Sequence, residues 1–180
     1  MKRMAFAALV VAGLMAGCGS PDRDSEVAAI EHLKQKLSPR EVISDDPDVV
    51  QLLEMYRTFV ADFPDDSLAP VYLIEAAEMN IAIDDPMQAV ALLDTAIAQY
   101  PGYEDVGGCV FLKGSAYEKA EMFDSARAVY AYFVEAYPEH ALASSTRIML
   151  EHNLVGATQE ELIDYLLQMS NNANLVQSAQ

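Results

Sequence analysis

Adjacent aspartates are the groups in this chain whose type and spacing come closest to a catalytic pattern. They occur at Asp45-Asp46, Asp65-Asp66 and Asp84-Asp85, and two carboxylates facing one cleft can act as a general acid and a general base. Each pair, however, directly precedes a predicted helix, where a carboxylate caps free N–H groups and complements the helix dipole. We therefore interpret the pairs as helix caps, assign no catalytic residue, and predict that the chain is not an enzyme.

The other reactive side chains lack partners at a useful spacing. His32, His140 and His152 include no pair at helical i, i+4 spacing and no neighbouring cysteine cluster, so no metal site is predicted. We interpret the three histidines as solvated surface residues. Cys109 lies in an apolar helix start, which is typical of a buried, unreactive thiol. Ser115 lacks the second glycine of a nucleophile elbow, and no cofactor is predicted.

The first residues have the pattern of a secretion signal with a lipid-attachment site. Two basic residues precede twelve apolar ones, and small residues at 16 and 17 stand directly before Cys18. Twelve residues of helix span about 18 Å, well short of the roughly 30 Å hydrocarbon core, which disfavours a retained membrane span. We predict a signal peptide over residues 1–17, covalent lipid on Cys18 and a polar tether over residues 18–24. The alternative is an ordinary secretory peptide followed by a free thiol.

The charge balance excludes one class of partner. The chain has 28 acidic and 11 basic residues, a net charge of −17; loss of residues 1–17 would remove Lys2 and Arg3, leaving 9 basic residues against 28 and a net charge of −19. Such a charge repels phosphate groups, so we exclude nucleic acid as a partner. With Cys18 lipidated, Cys109 would have no cysteine to pair with, and stability must come from packing.

A repeated helical pattern follows the tether. Pro64, Pro101 and Pro138 stand 37 residues apart, and each follows an aromatic residue that ends a predicted helix. Apolar residues in the helix before Pro101 recur at the i, i+3, i+4, i+7 spacing of an amphipathic helix. Asp85-Pro86 and Asp46-Pro47 match an N-cap followed by proline at the first helical position.

Small and aromatic residues keep register with these prolines and point to a known repeat. The pattern resembles the tetratricopeptide repeat at Gly114, Tyr117, Ala126, Tyr130, Phe133 and Pro138. Residues 70–101 form a degenerate copy in which Asn80 replaces the expected tyrosine. Small residues are needed where two helices cross closely, so we predict that Gly114→Leu is severely destabilising.

The resemblance covers residues 25–169 and implies an all-α fold, a right-handed superhelical stack of about four helical hairpins. The first helix is predicted from about Ser25 and a later one over His140 to Leu154. A capping-box pattern at Thr158 to Glu161 opens a last helix through Leu167. Gly107 and Gly108 are assigned to a turn between repeats, and residues 170–180 to a flexible tail.

More narrowly, the signal, the lipid cysteine and the proline-ended repeats resemble tetratricopeptide lipoproteins of Gram-negative envelopes. These include the outer-membrane-assembly lipoproteins of the BamD type and small repeat lipoproteins of Bacteroidota. The resemblance implies a scaffold held by Cys18 on the periplasmic face of the outer membrane, where it docks an envelope protein or peptide and assists assembly of outer-membrane proteins. The groove positions that the resemblance implies are Val71, Ile74, Glu78, Phe111, Ser115, Glu118, Ile148 and His152.

Two alternatives stay open at this point. Ile74 and Phe111 could fill the interior of the stack instead of contacting a partner. The chain could also be an accessory lipoprotein of a nutrient or glycan uptake system, although it has no tryptophan, the favoured platform for sugar stacking.

Overall fold

The computed structural model describes residues 22–38 and 44–178, with side chains through residue 171. These ranges contain eight α-helices and no strand: α1 (Arg23–Leu37), α2 (Pro47–Asp62), α3 (Leu68–Ala82), α4 (Pro86–Gln99), α5 (Val106–Lys119), α6 (Phe123–Ala136), α7 (Ala143–Glu151) and α8 (Gln159–Ser178). The predicted all-α fold is confirmed. The predictions for residues 1–17 and Cys18 lie outside the described residues. Within them, no helix combines the length and apolar character needed to cross a membrane.

The helices stack in chain order. α1 packs on α2, α3 on α4 and α5 on α6, and successive hairpins meet where α2 contacts α3, α4 contacts α5 and α6 contacts α7. Buried side chains cluster around each of these contacts, as the cluster of Ile30, Phe59 and Tyr72 from three successive helices shows. Each of the first three hairpins therefore relies on its neighbour to bury its apolar face, as repeat proteins do.

Aspartates begin the helices as the sequence predicted. Asp46 Oδ1 accepts the Asp48 N–H at 2.9 Å, and Asp85 Oδ1 accepts the Gln88 N–H at 3.3 Å. Proline occupies the first turn of both α2 and α4, where its missing N–H has no helical partner to lose. In the third pair, Asp66 Oδ1 accepts the Leu68 N–H at 2.9 Å. Asp46 and Asp85 are thus N-caps, whereas Asp66 stands one residue before the N-cap Ser67 and accepts the first N–H of α3.

Two boundaries differ from the prediction because of polar contacts. Gly107 and Gly108 lie in the first turn of α5, not in a turn between repeats, since Asp105 Oδ1 accepts the Gly108 N–H at 2.9 Å and begins the helix there. α7 begins only at Ala143. His140 precedes it and accepts the Leu142 N–H on Nδ1 at 3.2 Å.

α7 is also shorter at its other end, and α8 is longer than predicted. Asn153 takes a φ of 53° just after α7, which ends at Glu151 and not at Leu154. The predicted capping box is confirmed, since Thr158 Oγ1 accepts the Glu161 N–H at 3.3 Å and Glu161 Oε2 accepts the Thr158 N–H at 2.7 Å. The helix then continues to Ser178, because no glycine or proline interrupts it. Residues 170–178 are therefore helical, whereas the flexibility of that segment stays a prediction.

An ion pair ties α1 to the connection between α2 and α3. Arg23 Nε donates to Asp66 Oδ2 at 2.7 Å, and the same carboxylate accepts the first N–H of α3. The hydrogen bond from Arg23, followed by that from the Leu68 N–H, lowers the pKa of Asp66 below its usual 3.8. The carboxylate is therefore held in its charged form in the folded state.

Asp66→Ala should destabilise the protein in a pH-dependent way. We expect a loss of about 1 kcal/mol at neutral pH, the typical cost of removing a helix-cap oxygen. Because the folded pKa is lowered, the stabilisation is present above the unfolded pKa and lost as the pH falls through the folded pKa. Urea unfolding followed by circular dichroism should show the gap between variant and parent closing between about pH 5 and pH 2. Asp65→Ala is the control. If Asp66→Ala lowered the free energy of unfolding by the same amount at about pH 5 and at about pH 2, the role assigned to the Asp66 carboxylate would be contradicted.

Candidate functional site

Two of the predicted groove residues are engaged by the chain itself. The Tyr130 hydroxyl of α6 donates to Glu118 Oε2 at 3.0 Å and lies 3.1 Å from Ser115 Oγ. Glu118 Oε1 accepts the Gly156 N–H at 2.8 Å, which fixes the connection after α7. Desolvation, with the charge of Glu118 nearby, raises the pKa of Tyr130 and keeps the hydroxyl a neutral donor. Ser115 and Glu118 therefore hold α5, α6 and this connection together.

Phe111 and Ile74 pack inside the stack. The Phe111 ring centroid lies 5.3 Å from that of Tyr130 and 5.5 Å from that of Phe133. Ile74 packs against the buried cluster that includes Leu93. Both side chains are half-buried, which agrees with the alternative that they fill the interior. A partner contact through their remaining surface stays a prediction.

Val71 and Glu78 lie on open surfaces of α3. Val71 lines a cleft of about 810 Å³ between the α2–α3 and α4–α5 connections. Glu78 is exposed and lines a smaller groove of about 390 Å³ together with Lys34 and Glu75. Partial desolvation and then the charge of Glu75 raise the pKa of Glu78. A partner can therefore reach these two predicted groove positions.

The larger cavity, which we call the loop cleft, combines tyrosine and carboxylate side chains. Its walls include Pro64, Val71, Tyr100, Tyr103, Asp65 and Glu104. The Tyr100 hydroxyl donates to the Pro64 carbonyl at 2.9 Å and ties the two connections together. Asp65 and Glu104 are exposed. The cleft thus presents aromatic and apolar surface beside negative charge.

Sequence reasoning missed the loop cleft because its two walls come from separate repeats. The repeated Phe63-Pro64 and Tyr100-Pro101 pairs, 37 residues apart, each indicate a helix end. The same two pairs could have predicted the loop cleft, since equivalent turns in a stack of repeats lie side by side.

The last two predicted groove residues lie at the end of the stack. Ile148 is 44% exposed on α7. His152 follows α7 and is exposed, and its ring centroid lies 4.8 Å from that of Tyr165 in α8. They belong to the final hairpin, whereas Val71 and Glu78 belong to the second.

One histidine is not the solvated residue that was predicted. His140 is half-buried, and its Nε2 lies 2.9 Å from Asp105 Oδ1, so it links the start of α5 to the segment before α7.

Cys109 is buried as predicted, and desolvation raises the pKa of its thiol to about 11. Throughout the described part of the chain, no group of three or more His, Cys, Asp or Glu residues could hold a metal ion.

Comparison with known proteins agrees with the repeat geometry. Residues 109–140, which contain nearly all of α5, the whole of α6 and Pro138, match the family model described as Tetratricopeptide repeat. No curated protein and no solved structure matches the chain. An all-helical repeat fold of this kind is typically a non-enzymatic scaffold that binds other proteins. Residues 109–140 are therefore similar to one tetratricopeptide repeat, and they lie in an all-helical stack of hairpins, a fold typical of protein-interaction scaffolds.

Proposed function

We propose that this chain is a membrane-anchored, non-enzymatic scaffold of the bacterial cell envelope that docks an envelope protein through the loop cleft. The observation that carries the docking role is the loop cleft itself, a cavity of about 810 Å³ between two connections of the repeat stack. The Tyr100 to Pro64 hydrogen bond preorganises the cleft, which lowers the ordering cost when a partner binds.

The lining of the loop cleft favours a particular partner chemistry. Tyr100 and Tyr103 offer ring faces that attract cations, and Asp65 and Glu104 add negative charge at the same place. Val71 supplies an apolar contact. An extended or helical segment that carries a basic residue beside an apolar anchor fits this surface. The acidic net charge of the chain would also speed its encounter with a basic segment.

The envelope location rests on the sequence before the first helix. The signal-like segment and Cys18 support a lipid anchor. Gly19 after the cysteine, in place of the aspartate typical of inner-membrane retention, favours the outer membrane, and we place the domain on its periplasmic face. The anchor would raise the local concentration of the cleft near membrane partners. Assembly of outer-membrane barrel proteins is the task we propose for it.

Photo-crosslinking in the native host tests this proposal. A photoreactive amino acid at Val71 or Tyr103 should capture a barrel-assembly protein, identified by mass spectrometry. The same amino acid at Val50, an exposed apolar residue of α2 away from the cleft lining, should not. We expect capture to fall at least about tenfold in a Cys18→Ala background, because the anchor supplies effective concentration.

The other outcomes of this experiment separate the remaining possibilities. Capture of a transporter or glycan-binding protein at Val71 and Tyr103 would favour the uptake alternative. Equal capture at Val71, Tyr103 and Val50 would refute docking in the loop cleft. Cleft-specific capture that survives Cys18→Ala would refute the anchoring role alone.

A further inference from the structure

The fourth hairpin is built differently from the first three. α2, α4 and α6 each pack on the helix that precedes them, whereas α8 makes no close backbone contact with any other helix within the described residues. Its apolar side chains are exposed, including Leu162, Ile163, Leu166, Leu167 and Met169. The face of α7 that would meet such a helix is open too, since Ile148 is 44% exposed.

The repeat register shows that α8 has the sequence of a packed helix. Ile163 stands 37 residues after Ala126, and Leu167 stands 37 residues after Tyr130. Ala126 and Tyr130 are fully buried, yet Ile163 is 48% and Leu167 57% exposed. α8 therefore keeps the apolar pattern of α6, although no helix packs against it within the described residues.

The same register identifies the missing surface as α7. Ile148 stands 37 residues after Phe111, and Phe111 packs against Tyr130 of the next helix. By the same register, the matching contact in a packed fourth hairpin would join Ile148 and Leu167. α7 and α8 thus carry complementary halves of one helix–helix interface.

The connection between α7 and α8 holds these halves apart. Val155 is buried beside Ala126 and Tyr130. Glu118 Oε1 accepts the Gly156 N–H at 2.8 Å, and an Arg127 side-chain nitrogen donates to the Val155 carbonyl at 3.3 Å. This segment is docked on α5 and α6, and the α8 that follows it makes no close backbone contact with α7.

The connection is also longer than its counterparts. Asp84 and Glu121 have positive φ and directly precede the N-cap residues of α4 and α6. Asn153, which has the same backbone conformation after α7, is separated from Gln159 at the start of α8 by the docked segment. A helix that packs on another copy of the chain needs a longer connection, and the extra residues before α8 provide one.

Charge complementarity favours α7 as the surface for α8, and the docked connection favours the α7 of another copy over that of the same chain. Arg147 is the one lysine or arginine in the described part of the chain that forms no ion pair. It stands 37 residues after Val110, which is buried in a cluster with Phe133 of α6. α8 brings exposed carboxylates at Glu160 and Asp164. We propose that two copies of this chain exchange α8, each packing Ile163 and Leu167 against α7 of the other.

Disulfide trapping between two differently tagged copies tests the exchange in the full-length chain. One copy carries Ile148→Cys and the other Leu167→Cys, both at exposed positions. The control replaces the second copy with Val50→Cys, an equally exposed apolar residue. Cys18 and Cys109 are present in both pairs, so their background is the same. We expect at least about tenfold more linked heterodimer from the 148/167 pair, because contact raises effective concentration by orders of magnitude.

A chain that carries both cysteines separates exchange from closure. A disulfide formed within a single chain, with no linked dimer above the control, would overturn the proposal and show a closed fourth hairpin. A yield equal to the Val50 control would overturn it as well.

Sedimentation of the full-length chain in mild detergent gives an independent readout. The parent should sediment as a dimer of the 19.7 kDa chain. Leu167→Glu should weaken that dimer at least about tenfold, since it places a charge in an apolar contact, while Val50→Glu should leave it unchanged. Among the described residues, α8 makes no close backbone contact with another helix, so helicity should be the same in both variants. A monomeric parent would exclude the exchange.

Discussion

Replacing Gly114 with leucine should unfold or severely destabilise the protein, by about 3 kcal/mol or more. Gly114 lies at the crossing of α5 and α6, where even a Cβ atom would stand 2.4 Å from Tyr130 Cε1. That ring has little freedom to move, because Tyr130 is 1% exposed and its hydroxyl bonds to Glu118. The gain of about 1 kcal/mol in helix propensity on replacing glycine is too small to offset this clash.

Alanine at the same position gives a graded and matched test. We expect Gly114→Ala to lower the free energy of unfolding by about 1–3 kcal/mol, the usual range for overpacking. Gly102→Ala is the control, because no atom lies within 4 Å of a Cβ built at Gly102. Urea unfolding followed by circular dichroism measures both. If the two alanine variants were equally stable, the close crossing of α5 and α6 would be wrong.

Phe133→Ala should cost about 3–5 kcal/mol, the range for removing a buried phenylalanine ring. The Phe133 side chain is fully buried in α6 and belongs to the cluster that joins α5, α6 and α7. Its ring contacts Phe111 and Tyr137, with a centroid distance of 5.5 Å to the first and 6.1 Å to the second. Truncation would leave a cavity between two hairpins, so we expect the damage to spread into α7.

The neighbouring residue supplies the control for this variant. Tyr132 is 56% exposed on the same helix, and Tyr132→Ala should change stability by less than about 1 kcal/mol. Thermal and urea unfolding of the two variants, compared with the parent, measure the difference. A similar loss for both substitutions would mean that α6 presents a different face to the core.

Local patterns explain how much of the fold was predictable. Three local patterns were informative, and each depends on residues within about two helical turns of each other. They are the amphipathic spacing before Pro101, the caps at Asp46 and Asp85, and the capping box at Thr158. They predicted the helices and the hairpin order. The start of α7 was predicted wrongly where a distant group contributes, since His140 accepts the Leu142 N–H and also contacts Asp105, 35 residues earlier in the chain.

The candidate site was less predictable than the helices. Register could assign Ile74 and Phe111 to one repeat position, but it could not say whether a partner or the neighbouring helix covers that position. The structure packs both against the interior. It also engages Ser115 and Glu118 with Tyr130, a contact that joins two helices.

The sequence by itself determined the helical class, the 37-residue repeat, the acidic charge and the small-residue requirement at Gly114, because each follows from composition or from spacing along the chain. Only the tertiary structure decided that two connections form the loop cleft around Val71 and Tyr100. It also decided that the segment at Val155 and Gly156 docks on α5 and α6, and that α8 makes no close backbone contact with another helix of the described residues. Both outcomes depend on contacts between residues far apart in sequence, whose free energies no local pattern records.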